Sequence, residues 1–147
     1  MLNDNIRNDL NFAMKAREVL RVSVLRMLIS EINYKKIDLQ RDLTDEDVVG
    51  VIQKEVKKRR EAIEAFSAGG RPEQAETEQK ELEMLMAYLP AQVDEKEIQD
   101  EVIKLMGRLS DEEKSNFGQV MRVVSPVFKG KADGRVVADI VKKILSN

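Results

Sequence analysis

Three basic side chains, Lys129, Lys131 and Arg135, crowd into the stretch FKGKADGRVV from Phe128 to Val137, beside two glycines. Cations at that density suit phosphate, and Arg122, Lys142 and Lys143 extend the set. The same letters also spell a plain helix stop and start. Gly130 reads as a Schellman-type stop in the left-handed conformation, and Asp133 as the cap of the next helix. A helix start attracts phosphate through its free N–H groups. Here the Asp133 carboxylate stands at that start and repels an anion. Phosphate contacts are therefore expected from the basic side chains rather than from the helix end.

Other chemistry is narrowly bounded. The chain has no histidine and no cysteine. That removes the commonest general base and metal ligand, the Ser-His and Cys-His nucleophile pairs, and the usual zinc constellations. No catalytic residue, cofactor or metal ligand is assigned. The acidic clusters TDED and SDEEK lack the alternating spacing and central glycine of a calcium loop. Helix-start chemistry accounts for the first and solvation for the second. KEVKKRRE, Lys54 to Glu61, spreads its charge around a full turn with Glu55, Glu61 and Glu64 in i,i+4 reach. It reads as a solvated, internally paired helix, with a tRNA contact as the alternative. The methionines sit at core spacing. Phe12, Tyr34, Phe66, Tyr88, Phe117 and Phe128 are scattered and are mostly expected to face the core, so no base-stacking platform is expected.

Charge is uneven along the chain. Residues 94–113 carry three basic and eight acidic side chains, net −5, whereas residues 114–147 carry seven and two, net +5. That switch is the strongest charge signal present. The N-terminus has no cationic start followed by an apolar core, and no apolar run approaches membrane-spanning length. A cytoplasmic protein without membrane contact is the expectation.

The elements that must position these residues are helices. Ile6, Leu10 and Met14 mark the first, over about 2–15. Leu20, Val24, Met27 or Leu28, and Ile32 mark the second, over about 18–36. Thr44 caps the third, whose face is Val48, Ile52, Val56, Ile63 and Phe66. Gly69 and Gly70 end it, and Pro72 opens a fourth that runs to about Tyr88. Pro90 stops that helix, and an Asp94–Glu97 capping box opens a fifth with Ile98, Val102, Leu105 and Met106. After a polar loop, SDEEKSN, a sixth shares Phe117, Val120, Met121 and Val124 on one face, with a kink or early end expected at Pro126. The last carries Val136, Val137, Ile140, Val141, Ile144 and Leu145. The expected architecture is all-α. An N-terminal helical domain, residues 1–90, contains a long antiparallel helical hairpin, and residues 94–147 form a small three-helix bundle.

At this point YLPAQVDEKEI and FGQVMRVVSPVFKGKADGRVVADIVKKIL resemble the YqeY family. That family is the stand-alone relative of the C-terminal part of GatB, a subunit of glutamine-dependent aminoacyl-tRNA amidotransferase. VLRMLISEINYKKIDL and LTDEDVVGVIQKEVKKRREAIEAF fit its opening helices, so the resemblance covers nearly the whole chain. Its most specific element is the stretch Gly118–Met121 followed by KGKADG and a terminal apolar helix. The YLP junction comes next. The resemblance implies a two-part all-α protein whose tail-like end contacts tRNA. In the amidotransferase the ATP and magnesium site lies in a separate domain with no counterpart here. The family label, carbon–nitrogen ligase with glutamine as amido donor, then describes an assembly rather than this polypeptide. The implied role is a non-catalytic tRNA-binding accessory. The alternative is a module that docks on an amidotransferase or an aminoacyl-tRNA synthetase without touching RNA.

Overall fold

Eight helices and no strand make up the chain. The computed structural model describes residues 1–147 and divides them into two units, Met1–Leu89 and Pro90–Asn147. The first holds α1 (Leu2–Lys15), α2 (Val19–Leu39), α3 (Asp45–Ala68) and α4 (Pro72–Met86). The second holds α5 (Glu95–Met106), α6 (Asp111–Lys114), α7 (Phe117–Phe128) and α8 (Gly134–Leu145). None of the helices is long and apolar enough to cross a membrane.

Local chemistry explains most helix ends. The first N–H groups of a helix have no internal partner, and short polar side chains supply one. Thr44 with Asp47, Asp94 with Glu97, and Ser110 with Glu113 form reciprocal capping boxes at α3, α5 and α6. The last of these corrects the expectation of a plain loop at SDEEKSN. Its capping box winds Asp111–Lys114 into a short helix. Arg41 clamps Asp47 at 2.7 Å, and this hydrogen bond, with the one from the Thr44 backbone, holds the Asp47 carboxyl well below its ordinary value. At Pro126 the helix does not stop. α7 runs on to Phe128, although the ring has no N–H to give the Arg122 carbonyl.

The corner between α1 and α2 is a Schellman motif built on an unusual residue. Glu18 N–H donates to the Ala13 carbonyl at 3.0 Å and Arg17 N–H to Met14 at 3.2 Å. The left-handed position normally given to glycine is held by Arg17, φ 57°. For an L-residue that conformation costs about 1 kcal/mol.

The N-terminal unit closes over Ile6, Val24, Leu25, Leu28, Ile32, Val48, Ile52, Val56, Leu82 and Leu85. α3 packs most extensively on α4, and α2 touches both. Two expected core positions fail. In α1 the stripe runs Ile6, Leu10, Ala13, leaving Met14 46 % exposed. The aromatics are not mostly inside either: Phe12 is 71 % and Tyr34 65 % exposed, and Phe128 alone is buried. Tyr88 ties the end of α4 to α1 by donating its hydroxyl to Asp9. Burial first, then that bond, pushes the phenol's pKa far up.

KEVKKRRE also departs from the solvated reading. Glu55 and Arg59 are buried in α3 and paired at 3.2 Å. Arg59 donates to the Met27 sulfur from α2, and its Nε lies 3.4 Å from Glu81 of α4 without a directed hydrogen bond. Burial pushes the Glu81 carboxyl up against the opposing pull of Arg59. One guanidinium therefore links three helices.

Two tests follow from these pairs. Removing one member of a buried pair strands the other, at a cost of about 3 kcal/mol. Arg59→Ala is expected to lower the unfolding free energy from urea titration by that amount, and Glu55→Gln with Arg59→Met to lose distinctly less. Equal losses would show that the pairing does not matter. Asp47 titrates below its unfolded value, so the unfolded chain binds the extra proton in acid. Its contribution is present above about pH 4 and is lost as pH falls. Asp47→Asn should therefore flatten the stability curve between about pH 4 and pH 2.

Candidate nucleic-acid interface

The C-terminal unit folds around Ile98, Val102, Leu105, Val120, Val124, Phe128, Val137 and Val141. These residues bring α5, α7 and α8 together, and the short connection after α7 must reverse the chain. It does so as a type II turn, not as the expected Schellman stop. Lys129 has φ −59°, ψ 121°, Gly130 has φ 80°, and Lys131 N–H returns to the Phe128 carbonyl at 2.9 Å. Gly130 is left-handed as expected, but as the third residue of a turn. The helix ends at Phe128 because Lys129 has already left the helical region. Lys129 and Lys131 thus flank the glycine on either side.

The turn is braced from an unexpected quarter. Gln92 donates its side-chain amide to the Gly130 carbonyl at 2.8 Å and to the Pro90 carbonyl at 2.7 Å. Val93 N–H donates to the Lys131 carbonyl at 3.1 Å. The stretch PAQV, which follows the fourth helix, lies against the basic turn. No linear pattern marks Gln92, because its partner stands 38 residues away.

Asp133 caps α8 by accepting from Arg135 N–H at 2.8 Å. The start of α8 thus carries a carboxylate, which takes the Arg135 amide and repels an anion there.

The six basic residues are all exposed, but they fall into subsets. Lys129, Lys131 and Arg135 gather at the turn between α7 and α8. Arg135 and Lys142 are seven residues apart, within about 20° on a helical wheel, and about 10 Å apart along the axis. Lys143 lies beside them, so α8 turns one basic face outward, opposite Val137 and Val141. Asp139 sits on that same face and dilutes it. Lys142 is also engaged: its ammonium lies 5.6 Å from the centre of the Phe117 ring. Phe117, expected in the core, is instead 37 % exposed beneath that lysine. Arg122 is exposed on α7, on the side away from Val120 and Val124.

Charge neutralisation from within the unit is slight. Lys114 pairs with Asp111 at 3.9 Å, and Arg122, Lys131, Arg135 and Lys143 form no ion pair. No ion pair joins the acidic side chains of α5 and α6 to the basic ones of α7 and α8. No group of three or more acidic side chains is arranged to hold a metal ion.

The brace is directly testable. Gln92→Ala should loosen the turn, cost about 1 kcal/mol and speed amide exchange at Lys131. Gly130→Ala, strained at positive φ, should cost at least as much. Unchanged exchange in Gln92→Ala would show that the turn holds its own shape.

The family model described as Yqey-like protein matches residues 3–145. An uncharacterized protein of Schizosaccharomyces pombe is 38 % identical over 85 residues, covering 58 % of this chain and 69 % of that protein. The altered inheritance of mitochondria protein 41, mitochondrial, of Lachancea thermotolerans is 35 % identical over 86 residues, 58 % of this chain and 46 % of the relative. The protein of the same name from Pyrenophora tritici-repentis is 29 % identical over 144 residues, 95 % of this chain and 78 % of the relative. The matched part of the Lachancea protein is thus about half its length.

Proposed function

The chain belongs to the YqeY-like protein family, and on that premise we propose that it is a non-catalytic accessory whose C-terminal unit binds structured RNA, with tRNA the expected class. One observation carries the reading: the basic side chains of α7, α8 and their turn are exposed, and four of them form no ion pair. Cations held apart from carboxylates and from one another are available to phosphates, and the counterions that phosphates release drive association.

The mode of recognition follows from what the unit lacks. Phe117 lies under Lys142 and Phe128 is buried, so no row of aromatic faces awaits unstacked bases. The turn offers Lys131 and Arg135 as point contacts around an end whose shape is held by Gly130 and Gln92. Backbone and shape, rather than base sequence, are what such a surface reads. Asp133 and Asp139 limit the number of phosphates it takes.

An apolar strip beside Pro90 would have favoured a protein-docking role for the junction. The exposed large apolar side chains lie elsewhere, and Leu89 and Val93 are half-buried.

The test is affinity for tRNA against salt, measured by fluorescence anisotropy with the full chain. A handful of phosphate contacts gives a log–log slope of about −3 to −5. Lys131→Ala and Arg135→Ala should each weaken binding and reduce the slope by about 1, and Lys57→Ala in α3 should change neither. No binding at low salt, or nuclease-resistant recovery of an amidotransferase or synthetase by variants that have lost the basic residues, would replace RNA with protein docking.

A further inference from the structure

The corner between α1 and α2 carries a second surface, which the RNA reading does not use. Met14, Arg17, Val19, Val22, Ser23 and Arg26 line an open depression of about 480 Å³. Two of its apolar members are displayed, Val19 81 % and Met14 46 % exposed, and Val22 is half-buried. Its two charges are both positive, and neither Arg17 nor Arg26 forms an ion pair. The nearest carboxylate in sequence, Glu18, is held by Arg21 at 3.1 Å and is not part of the lining.

A third feature concerns the backbone. Arg17 occupies the left-handed position of the Schellman motif, where glycine carries no steric cost. The conformation is dictated by the corner, and the side chain adds nothing to it. What the arginine adds is a cation at the rim of the depression. Non-glycine residues held in this region of backbone space cluster at binding sites.

The chemistry of the occupant follows from the lining. A phosphate backbone would be met by dense cations and would leave exposed aliphatic side chains without a partner. Valines and a methionine flanked by two unpaired guanidinium groups complement an apolar stripe edged with carboxylates. Val19, Val22 and Arg26 stand at i, i+3 and i+7 and span about 10 Å, two turns of an apposed helix. We propose that the α1–α2 corner of the N-terminal unit is a docking groove for an acidic amphipathic helix of a partner protein, with Met14, Val19 and Val22 as the apolar floor and Arg17 and Arg26 as the charge clamp. This proposal concerns a different unit from the RNA surface and stands or falls separately from it.

The probe is a synthetic peptide helix with leucines at i, i+3, i+4 and i+7 and glutamates elsewhere, titrated into the isotope-labelled full chain. Amide shifts are expected at Met14, Arg17, Val19, Val22 and Arg26, and a scrambled peptide of the same composition should leave them in place. Arg26→Glu and Val19→Asp should each weaken binding at least tenfold. Both positions face water, so neither change should disturb folding. Arg17→Gly separates charge from structure: melting temperature is unchanged or higher, and affinity falls severalfold. Four results would overturn the proposal. They are no shift at millimolar peptide, equal binding of the scrambled peptide, the same shifts on raising protein concentration alone, and the same shifts with duplex RNA at lower concentration.

Discussion

The reversal at Gly130 governs the geometry of the C-terminal unit. α7 presents Val120, Val124 and Phe128, and α8 presents Val137 and Val141. These stripes meet only if the chain turns back within a few residues. A type II turn does this when its third residue accepts positive φ, and Gly130 does so at no steric cost. The same turn throws Lys129 and Lys131 outward, and Gln92 and Val93 hold the two carbonyls that would otherwise point to water. Packing and display thus depend on one backbone conformation. Asp133, two residues beyond Lys131, caps α8 and stands at the helix end that an anion would otherwise seek.

The N-terminal unit solves a different problem. Its helices are longer, and α2 is apolar on more than one side. The inner side meets Ile6, Ile52 and Leu85, and Arg59 crosses from α3 to the sulfur of Met27 and the carboxylate of Glu81. A guanidinium suits that crossing because its planar fork reaches several partners at once. Part of the outer side of α2 is left in water at Val19, Tyr34 and Ile37. An exposed apolar residue alone means little, but several beside unpaired arginines describe a surface that something can cover.

Several features were legible in the letters. Thr44, Asp94 and Asp133 announce helix starts because the signal is confined to at most four consecutive positions. Gly130 announces a left-handed residue. The stripes of α5 and α8 are read correctly because short helices leave little room for phase error. Where the letters misled, helical phase or a remote contact decided. Ile6, Leu10 and Met14 are four apart, but a real helix advances 3.6 residues per turn, and Ala13 rather than Met14 faces inward. Glu55 and Arg59 look like surface charges until α2 and α4 close over them. Of the candidate site, the exposure of its cations was expected. Their division into subsets was not, nor was the brace from Gln92.

By itself the sequence determined the all-helical class, the capped starts, the glycine that must turn left, and the excess of cations after residue 113. These are local properties, set by side chains within a turn or two of one another. Only the tertiary structure decided which side of α1 is dry, that Phe117 lies under Lys142, that a glutamine from the junction holds the basic turn, and that Arg17 and Arg26 border an apolar depression. Each of these depends on where a second segment lies, and a one-dimensional pattern does not carry the direction in which helices stack.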